Sequence, residues 1–129
     1  SNGARRILVA EDNSVAQRVV KHVLSRVPYE VCCVPSGMEA IKAASVGRFD
    51  LVLMDLQMPD MDGIETTARL RKVPGYAGVP VIALTANAFS EHREACLIAG
   101  MDGFLSKPLD REKLGTLLSG HFGAADIAA

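Results

Sequence analysis

Five short apolar runs, Ile7 to Ala10, Val31 to Val34, Leu51 to Met54, Val81 to Leu84 and Phe104 to Leu105, alternate with segments whose apolar residues recur at helical spacing. The first, third and fourth runs are continuously apolar, as parallel strands covered on both faces are. After the first run, Val15, Val19, Val23 and Val27 recur every fourth residue, and Val20 and Leu24 widen them into one expected buried helix face that Pro28 ends. Ser36 to Glu39 reads as a capping box, with Ile41 and Ala44 continuing the inner face behind it. Asp62 and Glu65 frame a third helix start leading into Ile64, Ala68 and Leu70, and Pro74 and Gly75 break that segment. A fourth helix is expected around Phe89 to Ala99, closed by Gly100. The last begins at Asp110 as N-cap, with Leu109 stapled to Leu114 and with Leu114, Leu117 and Leu118 facing inward. Strand and helix thus alternate five times, and right-handed crossovers make this a doubly wound α/β domain with helices on both faces of one parallel sheet.

At 129 residues the chain is long enough for one core and too short for a second domain. The domain is expected over residues 5–120, with 1–4 reading as a tag remnant or leader and 121–129 as a short tail of small residues beyond Gly120. Fourteen basic against fifteen acidic residues suggest neither a nucleic-acid footprint nor a polybasic membrane surface. No apolar run approaches the roughly 20 residues of a membrane span, and the N-terminal stretch lacks the apolar core of a signal peptide. The expectation is a cytoplasmic domain. Cys32, Cys33 and Cys96 are odd in number, and the adjacent pair points to opposite faces of a strand, so they read as reduced packing residues.

In an open parallel sheet, ligands bind beyond the carboxyl ends of the strands, where strand order reverses. That rule selects few polar groups here. Glu11 and Asp12 follow the first strand, Asp55 ends the third, Thr85 ends the fourth and Lys107 follows the fifth. Each reads singly as a solvated cap or a strand-end residue; it is their joint placement that points to a site. Neighbouring carboxylates repel, by roughly 4 kcal/mol for a pair about 4 Å apart at an effective dielectric near 20. A hard divalent cation offsets that repulsion, and magnesium is held by one or two carboxylates while it takes phosphate oxygens. The Lys107 ammonium and Thr85 hydroxyl would hold two oxygens of a phosphoryl group and the cation the third. Asp55 is then the natural nucleophile, because a carboxylate forms an acyl phosphate directly. Phosphoryl transfer depends mainly on positioning and charge stabilisation, so this set suffices without a protein base.

Four blocks carry a resemblance: Ile-Leu-Val-Ala-Glu-Asp-Asn ending at Asn13, Met-Asp-Leu-Gln-Met-Pro-Asp-Met-Asp-Gly from Met54 to Gly63, Ala-Leu-Thr-Ala-Asn-Ala from Ala83 to Ala88, and Gly-Phe-Leu-Ser-Lys-Pro ending at Pro108. In this order and spacing the chain resembles the response-regulator receiver domains of two-component signalling over about residues 5 to 120. In motif style it is similar to the receivers of hybrid histidine kinases and phosphorelays. The resemblance implies a flavodoxin-like (βα)5 fold with strand order 2-1-3-4-5. It implies that Asp55 accepts a phosphoryl group from a histidine kinase or histidine phosphotransfer domain in a reaction needing Mg2+ or Mn2+. Asp12, Asp55 and the main-chain carbonyl of Gln57 become metal ligands, with Glu11 acting mainly through metal-bound water. Thr85 and Lys107 become the phosphoryl-binding pair, and the peptide before Pro108 is expected to be cis. Acceptance and loss of the group would be self-catalysed, within a parent chain that is either a hybrid kinase or a single-domain regulator.

The resemblance further implies a switch in which Thr85 moves towards the phosphoryl group and the ring of Phe104 turns inward behind it. Many relatives carry tyrosine there, so the ring-burial part of the switch survives here without its hydroxyl, and plain core packing of Phe104 is the competing reading. An aspartyl-phosphate-forming phosphatase of haloacid-dehalogenase type is a second function class. It needs an aspartate two residues after Asp12, where this chain has Ser14. A flavodoxin-like cofactor binder is disfavoured because Glu11 and Asp12 would repel phosphate. His22, His92 and His121 lack metal-ligand spacing and read as solvated, whereas Met54, Met58, Met61 and Met101 read as packing.

Overall fold

The five apolar runs pair side by side as parallel strands, because residues covered on both faces leave only the strand edges for backbone hydrogen bonding. In the computed structural model, which describes residues 5–24, 29–86, 93–107, 109 and 111–122, they are β1 (Arg5–Ala10), β2 (Tyr29–Val34), β3 (Leu51–Asp55), β4 (Val81–Thr85) and β5 (Gly103–Ser106). They form one sheet in the order β2-β1-β3-β4-β5. Its register sets Ala10 beside Met54, Asp55 beside Leu84 and Thr85 beside Ser106. The strand ends that carry the predicted polar residues therefore share one edge. Strand order reverses between β1 and β3, the switch point at which doubly wound sheets leave a crevice.

Five helices connect the strands: α1 (Ser14–Val23), α2 (Gly37–Val46), α3 (Gly63–Leu70), α4 (Arg93–Ala99) and α5 (Arg111–Phe122). Alternate strand residues feed two separate cores. Leu8, Val52, Met54 and Ala83 pack with Ala40 of α2, Leu70 of α3 and Cys96 of α4. On the other face Ile7, Val9, Leu53 and Leu84 pack with Val20 and Val23 of α1 and with Leu114 and Leu118 of α5. Cys32 lies against the first core and Cys33 against the second, on opposite faces of β2 as their adjacency requires, and all three cysteines are free. The four site-proximal methionines are buried.

The α1 stripe needs correction. Val20, Val23 and Leu24 are buried, but Val15 is 66% and Val19 37% exposed. A row of residues four apart turns by about 40° per step around a helix of 3.6 residues per turn, so only its later members meet the sheet. Val27 and Pro28 lie outside the described residues, as do Phe89 and Asp110. In α2 the inner positions are the small residues Gly37, Ala40 and Ala44, and Ile41 is only half-buried. In α3 Ala68 is exposed, while Thr66 and Thr67 are buried with Leu70. Helix α3 also ends at Leu70, ahead of Pro74, and α5 continues past Gly120 to Phe122. Gly100 closes α4 as expected, at φ +104°, in the left-handed region that favours glycine.

Two side chains that carried no local signal lock the far edge. The Arg71 guanidinium donates to the carbonyls of Tyr76, Val79 and Gly100 and pairs with Asp102 at 2.9 Å, and the Asp102 carboxylate also accepts from Val81 N. Tyr76 is buried; its hydroxyl donates to the Gly47 carbonyl and accepts from Phe49 N. Replacing Arg71 by alanine strands three carbonyls and one carboxylate at once, and is expected to cost about 3 kcal/mol. Arg71→Lys should recover only a minor part, since one ammonium cannot reproduce the planar fork. Urea unfolding midpoints of the two variants check this, and a lysine variant as stable as the parent would contradict it.

Candidate functional site

The carboxyl edge of the sheet brings together the acidic residues that sequence leaves far apart. One oxygen each of Glu11, Asp12 and Asp55 lie within 4.8 Å of one another. Glu11 and Asp55 are almost wholly buried, at 1% and 3% exposure, whereas Asp12 faces solvent. Lys107 reaches between the buried pair, its Nζ 2.9 Å from Glu11 Oε2 and 3.2 Å from Asp55 Oδ2. Its main-chain N–H donates to the Thr85 carbonyl, which carries the ladder between β4 and β5 one step beyond the strand and aims the lysine at the edge.

Glu11 is held by its own neighbours. Its main-chain N–H donates to Val34 O, its carbonyl accepts from the Gln17 side-chain amide, and its Oε1 accepts from Asn13 N. Asn13 is also the N-cap of α1, accepting from Val15 N and Ala16 N, so helix start and acidic residue are set together. Asp55 Oδ1 accepts from Gln57 N at 3.1 Å, and Leu56 N donates to Leu84 O. Gln57 lines the same open cleft as Asp12, Asp55 and Lys107. Thr85 is buried at the end of β4 and its side chain is not among those lining that cleft. Phe104 pairs with Ala83 across the β4–β5 ladder; its ring is half-buried against the core beneath α2, α3 and α4, with the Arg93 guanidinium 4.6 Å from its centroid. The peptide before Pro108 lies outside the described residues.

Burial pushes the Glu11 carboxyl above its ordinary value; the Lys107 ammonium opposes that rise and the neighbouring Asp55 adds to it. Burial works to lower Lys107, but the bond to Glu11 and the charges of Asp55 and Glu11 outweigh it and hold the ammonium above its usual value. Three carboxylates face one ammonium, so the cluster keeps a net negative charge when all are ionised. Glu11 Oε2 is buried, 2.9 Å from Lys107 Nζ, on the inner side of the cluster. A compact, oxygen-lined, anionic recess of this kind fits a hard divalent cation.

Asn13, Gln17 and Asp60 were missed as site-supporting residues. Asn13 had a readable signal, an amide residue just before a helix, whereas Gln17 and Asp60 had none because their partners are set by the fold. Asp60, in the loop after β3, accepts from Gly37 N and Met38 N of α2.

The family described as response regulator receiver domain matches residues 7–119. Among curated relatives, the signal transduction histidine-protein kinase BarA of Escherichia coli (strain K12) is 37% identical over 115 residues, 89% of this chain and 12% of that protein. The osmosensing histidine protein kinase SLN1 of Saccharomyces cerevisiae is 41% identical over 122 residues, covering 88% of this chain and 10% of that protein. The chain thus spans only a small part of either kinase. Among solved structures, the receiver domain of a sensor histidine kinase from Pseudomonas aeruginosa PAO1, with a magnesium ion coordinated in its active-site cleft, superposes with a TM-score of 0.86 at 40% identity, covering 94% of this chain and 99% of that one. The chemotaxis protein CheY4 of Vibrio cholerae superposes with a TM-score of 0.88 at 29% identity, covering 93% of this chain and all of that one. The strand order, the acidic cluster on the carboxyl edge and these likenesses lead to one assignment: this chain belongs to the response regulator receiver domain family and is a receiver module of a phosphorelay.

Proposed function

We propose that Asp55 is the phosphoacceptor, taking its phosphoryl group from a phosphohistidine of a histidine kinase or histidine phosphotransfer domain. The observation that carries this reading is the Lys107 ammonium between the two buried carboxylates, 3.2 Å from Asp55 Oδ2. Asp55 Oδ1 accepts from Gln57 N, and Oδ2, beside the Lys107 ammonium, is the proposed attacking oxygen. As Oδ2 bonds to phosphorus, the P–N bond of the donor breaks and its electron pair leaves with the imidazole. Lys107 then exchanges its contact with Asp55 Oδ2 for a phosphoryl oxygen, with Glu11 still anchoring the ammonium. Thr85 would donate its hydroxyl to a second oxygen. Glu11, Asp12, Asp55 and the Gln57 carbonyl are the proposed holders of Mg2+, or Mn2+ in its place. When bound, the cation neutralises charge on the phosphoryl oxygens. The magnesium in the cleft of the Pseudomonas receiver supports that choice. Because histidine kinases draw on ATP, the proposed exchange belongs to the cytoplasm, and no helix among the described residues is long and apolar enough to cross a membrane. The haloacid-dehalogenase reading gains nothing from the site, where Ser14 takes the place its second aspartate would need. The proposed receiver unit is residues 5–120.

Incubation with a small phosphodonor and magnesium, followed by intact-mass measurement and peptide mapping, is expected to label Asp55 alone. Asp55→Asn should abolish the label, and full labelling of that variant would sink the assignment.

Labelling should stop in excess chelator and return on adding Mg2+ or Mn2+. Asp12→Ala should weaken Mg2+ binding by about 10-fold or more. Equal labelling rates with and without chelator would rule out the metal role.

The third expectation concerns the switch. A phosphoryl oxygen offers Thr85 a charge-assisted hydrogen bond worth roughly 1.5–3 kcal/mol, enough to shift a two-state population more than about tenfold. The half-buried Phe104 ring should then move inward and away from Arg93, which aromatic and methyl NMR of the free and acyl-phosphate-mimic forms would report. An unchanged ring environment in both forms would make Phe104 a static packing residue.

A further inference from the structure

We infer that Asp60 is a positioning residue for the cation site: it fastens the β3–α3 loop, which carries Gln57, to the N-terminus of α2. The inference rests on the proposed Mg2+ site and names a residue outside its ligand set.

A helix start leaves four main-chain N–H groups without partners inside the helix. In α2 three of them, those of Gly37, Met38 and Glu39, are satisfied by two different segments. Glu39 N donates to the Ser36 hydroxyl, the local cap, and Ala40 N makes the first ordinary helical bond, to the Ser36 carbonyl. The first two go to Asp60: Gly37 N donates to Oδ1 at 3.1 Å and Met38 N to Oδ2 at 3.0 Å. The two oxygens of one carboxylate thus span two successive amides, a geometry that fixes position as well as distance. The Met38 bond, with that of Gly37, holds the Asp60 carboxyl below its ordinary value, so it stays ionised at neutral pH. The positive end of the helix dipole favours that charge.

The surroundings leave this contact little slack. A Cβ on Gly37 would collide with Thr66 Oγ1 of α3 and stand 3.1 Å from Met61 Cβ, so the start of α2 is pressed against the loop and the helix beyond it. Within the loop, Met58 and Met61 are buried, and Gly63 N donates to Leu56 O. Asp60 lies on the exposed side between those two methionines. Its carboxylate is the loop's polar tie to a neighbouring helix, and Gln57 stands only three residues before it. The Ser36 hydroxyl caps Glu39 N from within its own segment. Asp60 therefore caps α2 and ties the loop at once, whereas the Ser36 cap can be removed with the Asp60 tie left in place.

The test compares Asp60→Ala, Asp60→Asn and Ser36→Ala with the parent chain, measuring Mg2+ affinity by calorimetry and stability by urea unfolding. Both alanine variants should lower stability through α2. Only Asp60→Ala should also weaken Mg2+ binding, by about tenfold, with Asp60→Asn between it and the parent because its amide oxygen can still accept one bond. Ser36→Ala should bind Mg2+ within about twofold of the parent. If Asp60→Ala proves too unstable to titrate, Asp60→Asn carries the comparison. Parent-like Mg2+ affinity in the Asp60 variants, or an equal loss in Ser36→Ala, overturns the inference while leaving the cation site intact. A parent chain that does not bind Mg2+ overturns both, and is thereby told apart from failure of the tether alone.

Discussion

Two nearly buried carboxylates, Glu11 and Asp55, share the carboxyl edge of the sheet, and the Lys107 ammonium between them is what makes that arrangement tenable. Removing charges from water costs several kcal/mol per ion in real proteins, and the attraction gained in return rarely yields net stability. Such a cluster is a poor way to hold a fold together and a good way to hold a reactive edge ready. Lys107 reaches it because β5 adds to the sheet next to β4, so that the residue just past β5 continues the ladder to the Thr85 carbonyl. The parallel order of all five strands then follows as a requirement, since an antiparallel β5 would carry its last residue to the opposite edge.

The chemistry proposed for this edge asks for placement more than for reactivity, and the structure spends its polar contacts accordingly. Glu11 is fixed from the helix side by Asn13 and Gln17, and Asp55 is fixed by the Gln57 amide, the second of the loop after it. That loop is in turn tied to α2 through Asp60. At the other end of the sheet, Arg71 and Tyr76 gather carbonyls and amides from loops that have no secondary structure of their own. The frame around the site is thus over-determined. Phe104 differs in being half-buried beneath the Arg93 guanidinium, which suits a side chain proposed to change place.

Much of this was readable in the chain. Continuous apolar runs specify strands covered on both faces, and the caps at Ser36 and Asp62 mark helix starts that the structure contains. Five such units admit few topologies, and the strand-end rule then singles out Glu11, Asp12, Asp55, Thr85 and Lys107. Each of these signals is local: it depends on residues within one turn of helix or one step of strand.

Tertiary structure decided whatever joins residues distant in sequence. Val15 and Val19 belong to the same four-residue row as Val23, yet only packing against the sheet determines where the turning row meets the core, and it leaves the first two exposed. Asp60 and Asp62 look alike in the sequence, but Asp62 caps the helix that follows it while Asp60 reaches back 22 and 23 residues to Met38 and Gly37. Arg71 finds Gly100 29 residues away in the same manner. Sequence by itself determined the elements, their order and the chemical kinds of residue at the strand ends, because propensity, periodicity and capping act over a few bonds. Which charges meet, which amides a carboxylate serves and which apolar residues are covered depend on the closed packing of the whole chain, where burial turns proximity into energy.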